Sequence, residues 1–248
     1  IEHLLVVCTP RFPNDEPTCQ VLVIGGGVGG VAAAEDLARA GVSVILTEPT
    51  DHLGGQFTAQ GLSVPDENSY IERDPGPGTR HYRELREQVR AFYAAAPGII
   101  PSRAQNVGQC WASRVSGEPS VWERAIDDRL TPLDGPRGIR AVLLRHQLVS
   151  INRYPGNGQV SYADLVDLDT GRLVRIGAQF ILDATETGDA LALSGCAYVY
   201  DQVRDVAQTN CANLSNAQDQ RACEKRNAPA YDDYEARRKR LQEGGKAN

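Results

Sequence analysis

Residues 21–48 leave a chain little choice of fold: the wholly apolar Val21-Leu22-Val23-Ile24 runs straight into Gly25, Gly27 and Gly30 in G-x-G-x-x-G spacing. Four apolar residues in a row suit a short strand buried on both faces. Gly25 permits the tight turn that follows, Gly27 leaves room for a phosphate against the backbone, and Gly30 allows the next helix to pack closely on the strand. The first amides of that helix, around Gly29, then point at whatever anion sits there. Val31, Ala34, Leu37 and Ala38 recur at helical spacing, Gly41 ends the helix, and residues 42–46 form a second buried strand. Glu48 lies 23 residues beyond Gly25, where a carboxylate accepts hydrogen bonds from a ribose diol and repels a 2′-phosphate. A lone glycine pattern is weak, but strand, glycines, helix, strand and acid in this order predict a dinucleotide-binding βαβ unit.

Composition narrows the partners. A net charge of −6 and a single basic run, Arg237-Arg238-Lys239-Arg240 in a charged tail, argue against nucleic acid. The longest apolar stretch is the glycine-interrupted motif itself, too short to span a membrane. The six cysteines at 8, 19, 110, 196, 211 and 223 form no C-x-x-C pair, which disfavours a zinc site. Cys8 with Cys19 and Cys211 with Cys223 flank polar loops, as disulfide loops do. Together with Asn213-Leu214-Ser215, a glycosylation triplet, and the absence of any methionine, they tilt the expectation from the cytoplasm toward an exported, processed or partial chain.

Residues 1–20 read as an extension with an apolar strand at 4–7. A glycine loop, Leu53-Gly54-Gly55-Gln56-Phe57-Thr58, follows Glu48, and an irregular stretch continues to Thr79. The pattern Tyr82, Leu85, Val89, Phe92 predicts an amphipathic helix over 80–96, and a second helix follows Pro119 with Trp122 expected in the core. Strands are predicted over 142–151, 160–168, 172–176 and 180–182, with the turn Asp169-Thr170-Gly171 closing a hairpin. The last strand delivers residues 183–189 at its carboxyl end, where open α/β sheets bind ligands. A charged helix is expected over 231–241.

Taken in order, four segments resemble the FAD-dependent oxidoreductases with the glutathione-reductase-like, two-dinucleotide-binding-domain fold. They are residues 25–48; residues 53–61 with Pro65-Asp66-Glu67-Asn68; Thr79-Arg80-His81-Tyr82-Arg83 with Cys110-Trp111-Ala112-Ser113-Arg114 and Glu118-Pro119; and residues 180–195. The resemblance implies an α/β fold: a Rossmann-like FAD-binding domain with a parallel central sheet, a β-hairpin or meander and an inserted helical substrate region. It divides the chain into an extension (1–20), the βαβ unit and glycine loop (21–64), the insertion (65–141), a return to the binding domain (142–200) and a polar tail (201–248).

Carried over by position, Gly25, Gly27, Gly29 and Gly30 hold the FAD pyrophosphate and Glu48 the ribose. Gly54 and Gly55 bring backbone amides to the pyrophosphate or flavin, Gln56, Thr58 and Gln60 lie near the ring, Val149 packs on adenine, and Thr185 and Gly188 form a turn beside the cofactor. Alternatives stay open: Gln56 or Thr58 bonding only its own loop, Val149 as plain core. Candidate substrate-facing groups are Asp66, Glu67, His81, Tyr82, Cys110 and Arg114. His52 is either a flavin tether or a solvated loop histidine. No catalytic residue or metal site is assigned, since the flavin itself carries hydride chemistry. Family members continue beyond the point where this sequence stops, so a small-molecule substrate and a C-terminal continuation or companion chain are expected. An NAD-dependent dehydrogenase and a non-catalytic subunit with a dinucleotide fold are the competing expectations.

Overall fold

The computed structural model describes residues 5–7, 17–61, 64–73, 78–153, 160–194 and 221. The helix expected over 231–241 and the cysteines at 8, 211 and 223 lie outside these residues. No disulfide joins two described residues: Cys19 is buried with its thiol donating to the Gly177 carbonyl at 3.9 Å, and Cys110 is half-buried. The expected disulfides therefore find no support.

One sheet organises the fold. Its strands are β1 (Leu5–Val7), β2 (Thr18–Ile24), β3 (Val44–Glu48), β4 (Ile139–Leu144), β5 (His146–Arg153), β6 (Val160–Asp167) and β7 (Leu173–Asp183). They lie in the order β4-β3-β2-β7-β6-β5, with β1 antiparallel on β7. β4, β3, β2 and β7 run parallel, while β7, β6 and β5 form an antiparallel meander. This is the mixed α/β architecture that the βαβ unit implies. Side-chain alternation splits the core in two. Val21, Val23, Val44 and Leu46 face one side, where they meet α1 (Val28–Arg39), α2 (Arg80–Ala95) and α4 (Pro119–Leu130) through Ala34, Val89, Trp122 and Ile126. Leu22, Ile24 and Ile45 face the other, against Leu165 and Ile176 of the meander and Ala190 of α5 (Asp189–Leu193). The short α3 spans Pro101–Ala104. No helix among the described residues is long and apolar enough to cross a membrane.

Several strand boundaries differ from the pattern-based expectation. The run 142–151 is two strands, because Arg145 takes a left-handed φ of 59° between β4 and β5. Long-range bonds hold it there: its amide donates to the Thr50 carbonyl at 2.9 Å, and its own carbonyl accepts from Leu168 at 2.7 Å. Conversely, the expected strands 172–176 and 180–182 are one strand, β7. Gly177 is the handover point, opposite Tyr162 of β6 on one side and Thr18 of β2 on the other.

On α2, Phe92 is exposed and Tyr93 takes the core position, extending a Leu85, Val89, Tyr93 stripe. Its hydroxyl explains the choice. It donates to the Glu118 carboxylate at 2.7 Å and accepts from the Glu118 amide at 2.9 Å, fixing the start of α4. Burial, reinforced by the Glu118 side chain, pushes that hydroxyl up to about 12.

Helix α1 is clamped to α4 by a buried ion pair. Arg129 donates from Nε and Nη2 to the two oxygens of Glu35 at 2.9 and 2.7 Å, with side chains 6% and 2% exposed. Burial opposes the charge on Glu35, but hydrogen bonds from Arg129 and Arg39 hold its carboxyl below the ordinary 4.5. Its contribution is thus complete above that ordinary value and is lost as pH falls through the lowered one. Arg129→Ala should destabilise the protein by roughly 1.5–3 kcal/mol, since the buried Glu35 carboxylate loses its buried partner and keeps only the half-exposed Arg39. Urea denaturation of wild type and variant at neutral pH checks this, and a loss below about 1 kcal/mol would show that the pair is not buried as described.

Candidate functional site

The carboxyl ends of β2, β3 and β7 meet at one edge of the sheet, and three turns leave from it. The first is the glycine turn. Gly25 has φ +103°, its amide donates to the Thr47 carbonyl at 3.0 Å, and any Cβ there would stand 2.5 Å from the Ala184 carbonyl oxygen. At Gly30 a Cβ would sit 1.8 Å from the Gly25 oxygen, so α1 begins hard against the turn. Gly27 is the opposite case: nothing lies within 4 Å of where its Cβ would be, and α1 has no side-chain cap. The first intrahelical amide bond is from Val31 to the Gly27 carbonyl, so the amides of Val28, Gly29 and Gly30 have no carbonyl within the helix to take them. Uncapped amides beside open space form an anion-binding position.

Glu48 ends β3 at 7% exposure. One carboxylate oxygen accepts from the Gly26 amide at 2.7 Å and the other from the Thr50 amide at 3.0 Å. An ionised carboxylate offers about four acceptor positions, so the remaining lone pairs stay available to a diol. Gly26 itself was not singled out in the sequence, although a Cβ there would lie 2.5 Å from Leu53 and 2.8 Å from the Glu48 side chain. The signal was present as the middle glycine of the triplet.

The second turn carries the glycine pair. Gly54, with φ +104°, donates to the Gly26 carbonyl at 2.8 Å, and the Cβ position of Gly55 falls 3.1 Å from the Gly27 Cα. The two glycine segments therefore abut backbone to backbone. Gln56 and Gln60 are exposed on this turn. The buried Thr58 spends its hydroxyl hydrogen on the Leu53 carbonyl at 2.6 Å, which is the loop-bonding alternative. Phe57 stacks on Trp122 at 4.5 Å between ring centres, and Trp122 is fully buried core as expected.

Asp183 builds the third turn. One oxygen accepts from the Thr185 amide and hydroxyl at 3.1 and 2.7 Å, and the other accepts from the Leu191 amide at 2.8 Å. Thr185 in turn accepts from the Asp189 amide at 2.8 Å, and Gly188, with φ +71°, starts α5. The organising role of Asp183 was not legible, because each of its partners is set by the turn. Val149 lies half-buried on β5, where the β5–β6 ladder shifts register between Leu148 and Ser150.

The expected substrate-facing groups scatter. Glu67 and Tyr82 face each other: the Glu67 carboxylate, 4% exposed, accepts from the Tyr82 hydroxyl at 2.6 Å and also bonds Arg86 and Ser113. Burial and the neighbouring Glu67 push the Tyr82 hydroxyl far above its ordinary value. Arg86 and Arg90 converge on Glu72 and complete a network that ties the 64–73 segment to α2. His81 sits 3.1 Å from Asp36 on α1. Asp66 and Arg114 are exposed, and Cys110 is half-buried with its amide bonded to Asn106. His52 pairs with Glu123 at 3.0 Å and Asp51 at 3.3 Å. A surface concavity of about 850 Å³, lined by Arg80, Arg83, Glu84 and Asp128, lies away from the three turns, so backbone geometry rather than volume marks the site. No cluster of three or more metal-ligating side chains occurs among the described residues.

A class of protein follows from this sheet edge, and comparison with known proteins gives the family. The FAD dependent oxidoreductase family matches residues 20–246, and the chain belongs to it. It is 28% identical over 167 residues to a digeranylgeranylglycerophospholipid reductase of Methanothrix thermoacetophila, an alignment covering 64% of this chain and 39% of that one. With flavin-containing amine oxidase B of Bos taurus it shares 30% identity over 135 residues, covering 48% and 25% of the two chains. The chain thus spans well under half the length of these two relatives. Among solved structures, L-proline dehydrogenase from P. horikoshii aligns over 73% of this chain and 56% of its own, with a TM-score of 0.45 and 15% identity.

The geometry separates two glycines of one motif. Gly30→Ala should destabilise the flavin-free protein at or beyond the top of the roughly 1–3 kcal/mol range for overpacking. Gly27→Ala should stay within roughly 1 kcal/mol of wild type, the scale of an N-cap change. Thermal denaturation of both variants checks the order, and equal effects would contradict it.

Proposed function

We propose that this chain supplies the FAD-holding part of an oxidoreductase that oxidises or reduces a small organic substrate through the flavin. The observation that carries the reading is the convergence of the glycine turn, the Gly54-Gly55 turn and the Asp183 turn on one sheet edge, with open space at Gly27. The residues there fit the group by their chemistry. Uncapped amides at Val28, Gly29 and Gly30 receive the pyrophosphate, with Gly25 setting the turn, and Glu48 receives the ribose diol through its remaining lone pairs. Gly54 and Gly55 bring main chain rather than side chain to the cofactor, as only residues without Cβ permit. Thr185 and Gly188 shape the turn that closes the edge, Val149 is the adenine-side contact, and Gln56 is the exposed polar group of the second turn. When bound, FAD supplies the hydride or electron acceptor. The chain's own task is to bind it, orient it and exclude water.

Further polypeptide, as a continuation or companion chain, completes the substrate side in this proposal. The 39% and 25% coverage of the two relatives supports that reading.

The absorption spectrum of the purified chain, native and after denaturation, tests the proposal: flavin bands released on denaturation are expected. Glu48→Ala should weaken FAD binding by on the order of 1.5–3 kcal/mol and Glu48→Asp by less. Gly27→Val should abolish it while leaving the fold of the flavin-free protein intact, because the side chain enters the space assigned to phosphate. Stoichiometric flavin in Gly27→Val, or equal affinities in wild type and Glu48→Ala by fluorescence titration, would refute the assignment.

A further inference from the structure

The Gly54-Gly55 turn is held from two sides. On one side it bonds the glycine turn through the Gly54 amide and the Gly26 carbonyl. On the other it leans on α4. Phe57 stacks on Trp122, and a Cβ at Gly54 would stand 2.6 Å from the Ile126 side chain. His52, two residues before Gly54, reaches Glu123 of the same helix at 3.0 Å. The main chain around His52 is stiffened from behind, since the Thr50 hydroxyl donates to the His52 carbonyl at 2.9 Å while the Thr50 amide donates to Glu48 at 3.0 Å. One strap therefore joins Glu48, Thr50, His52 and α4.

We infer that His52 and Glu123 are positioning residues: their ion pair presses the Gly54-Gly55 turn onto the glycine turn, so that flavin affinity weakens as pH rises through neutrality. This rests on the reading of that turn as part of the FAD site. The other attachments of the turn are backbone hydrogen bonds and apolar contacts, which do not titrate. The charged groups that reach His52 are Asp51 on its own loop and Glu123 on α4; Arg124 and Asp127 lie on the same helix as Glu123, and Glu48 and Arg145 bond the Thr50 main chain. His52 is the one of these whose ordinary value lies near neutrality.

The direction follows from the partner. The Glu123 hydrogen bond raises His52 above its ordinary 6.5; burial opposes it, and the charges of Glu123 and Asp51 add to the rise. A raised cation contributes fully below the ordinary value, and its contribution is lost as pH rises through the raised one. His52 is 40% exposed and Glu123 34%, so the effect is that of a partly solvated pair.

The test is FAD titration of the full chain near pH 6 and near pH 8, with hydrogen-exchange protection of residues 53–58 measured in the flavin-free protein. Wild type should bind about two- to fivefold more weakly at the higher pH, the size expected of such a pair. Glu123→Gln should show the weaker affinity at both values. His52→Lys, which keeps the cation across the range, should show the tighter affinity at both. Protection of residues 53–58 should follow the same order without flavin. The inference is overturned if all three proteins share one pH dependence, or if protection of this segment ignores both substitutions and pH. A wild-type chain that takes up no FAD at either pH would instead count against the functional proposal, and the protection measurements would still decide the role of the pair.

Discussion

The close approach of two stretches of main chain, Gly26-Gly27 and Gly54-Gly55, is the constraint on which the rest of the site depends. It is fixed by the Gly54 amide on the Gly26 carbonyl and by Glu48, whose carboxylate ties the Gly26 and Thr50 amides together at the end of β3. A side chain at Gly26 would meet Leu53 and Glu48, one at Gly54 would meet Ile126, and one at Gly25 would meet Ala184. The packed amides of Gly25, Gly26 and Gly54 are spent on holding the turns together, which leaves the amides of Val28, Gly29 and Gly30 at the start of α1 open. That is the means by which a protein offers hydrogen-bond donors to a pyrophosphate at a helix N-terminus without spending lysine or arginine on it.

Holding that approach in place requires support from outside the βαβ unit. α4 provides it twice, through the Phe57–Trp122 stack and through the buried Glu35–Arg129 pair that fixes α4 on α1. The Glu67, Glu72, Arg86 and Arg90 network then anchors α2 to the 64–73 segment. These charges are largely removed from water. Desolvation offsets much of the attraction in such pairs, whereas removal of one partner leaves the other buried and under-satisfied. The helical segment between β3 and β4 thus shares one hydrophobic core with β2, β3 and α1 and backs the glycine turns.

Much of this was legible in the sequence because it is local. Residues 21–48 state strand, turn, helix and strand through apolar runs and glycines at fixed offsets, and the structure places β2, α1 and β3 there. Thr79 and Pro119 mark the starts of α2 and α4, since a cap and an N1 proline act within one turn. What was not legible depends on partners far away in sequence. Arg145 breaks a strand because Thr50 and Leu168 hold its backbone. β7 stays continuous across Gly177 because β2 takes over where β6 leaves off. Tyr93 replaces Phe92 in the core because Glu118 needs its hydroxyl. Glu67 and Tyr82, expected as substrate-facing groups, instead bond each other across the 64–73 segment and α2.

Amide hydrogen exchange on the full chain, with and without FAD, tests the central claim most directly. The account predicts new protection at residues 26–30, 54–55 and 185–189 together, and none around Arg80, Arg83 and Asp128, where the surface concavity lies. Protection confined to that concavity, or absent from the three turns while flavin is bound, would contradict it.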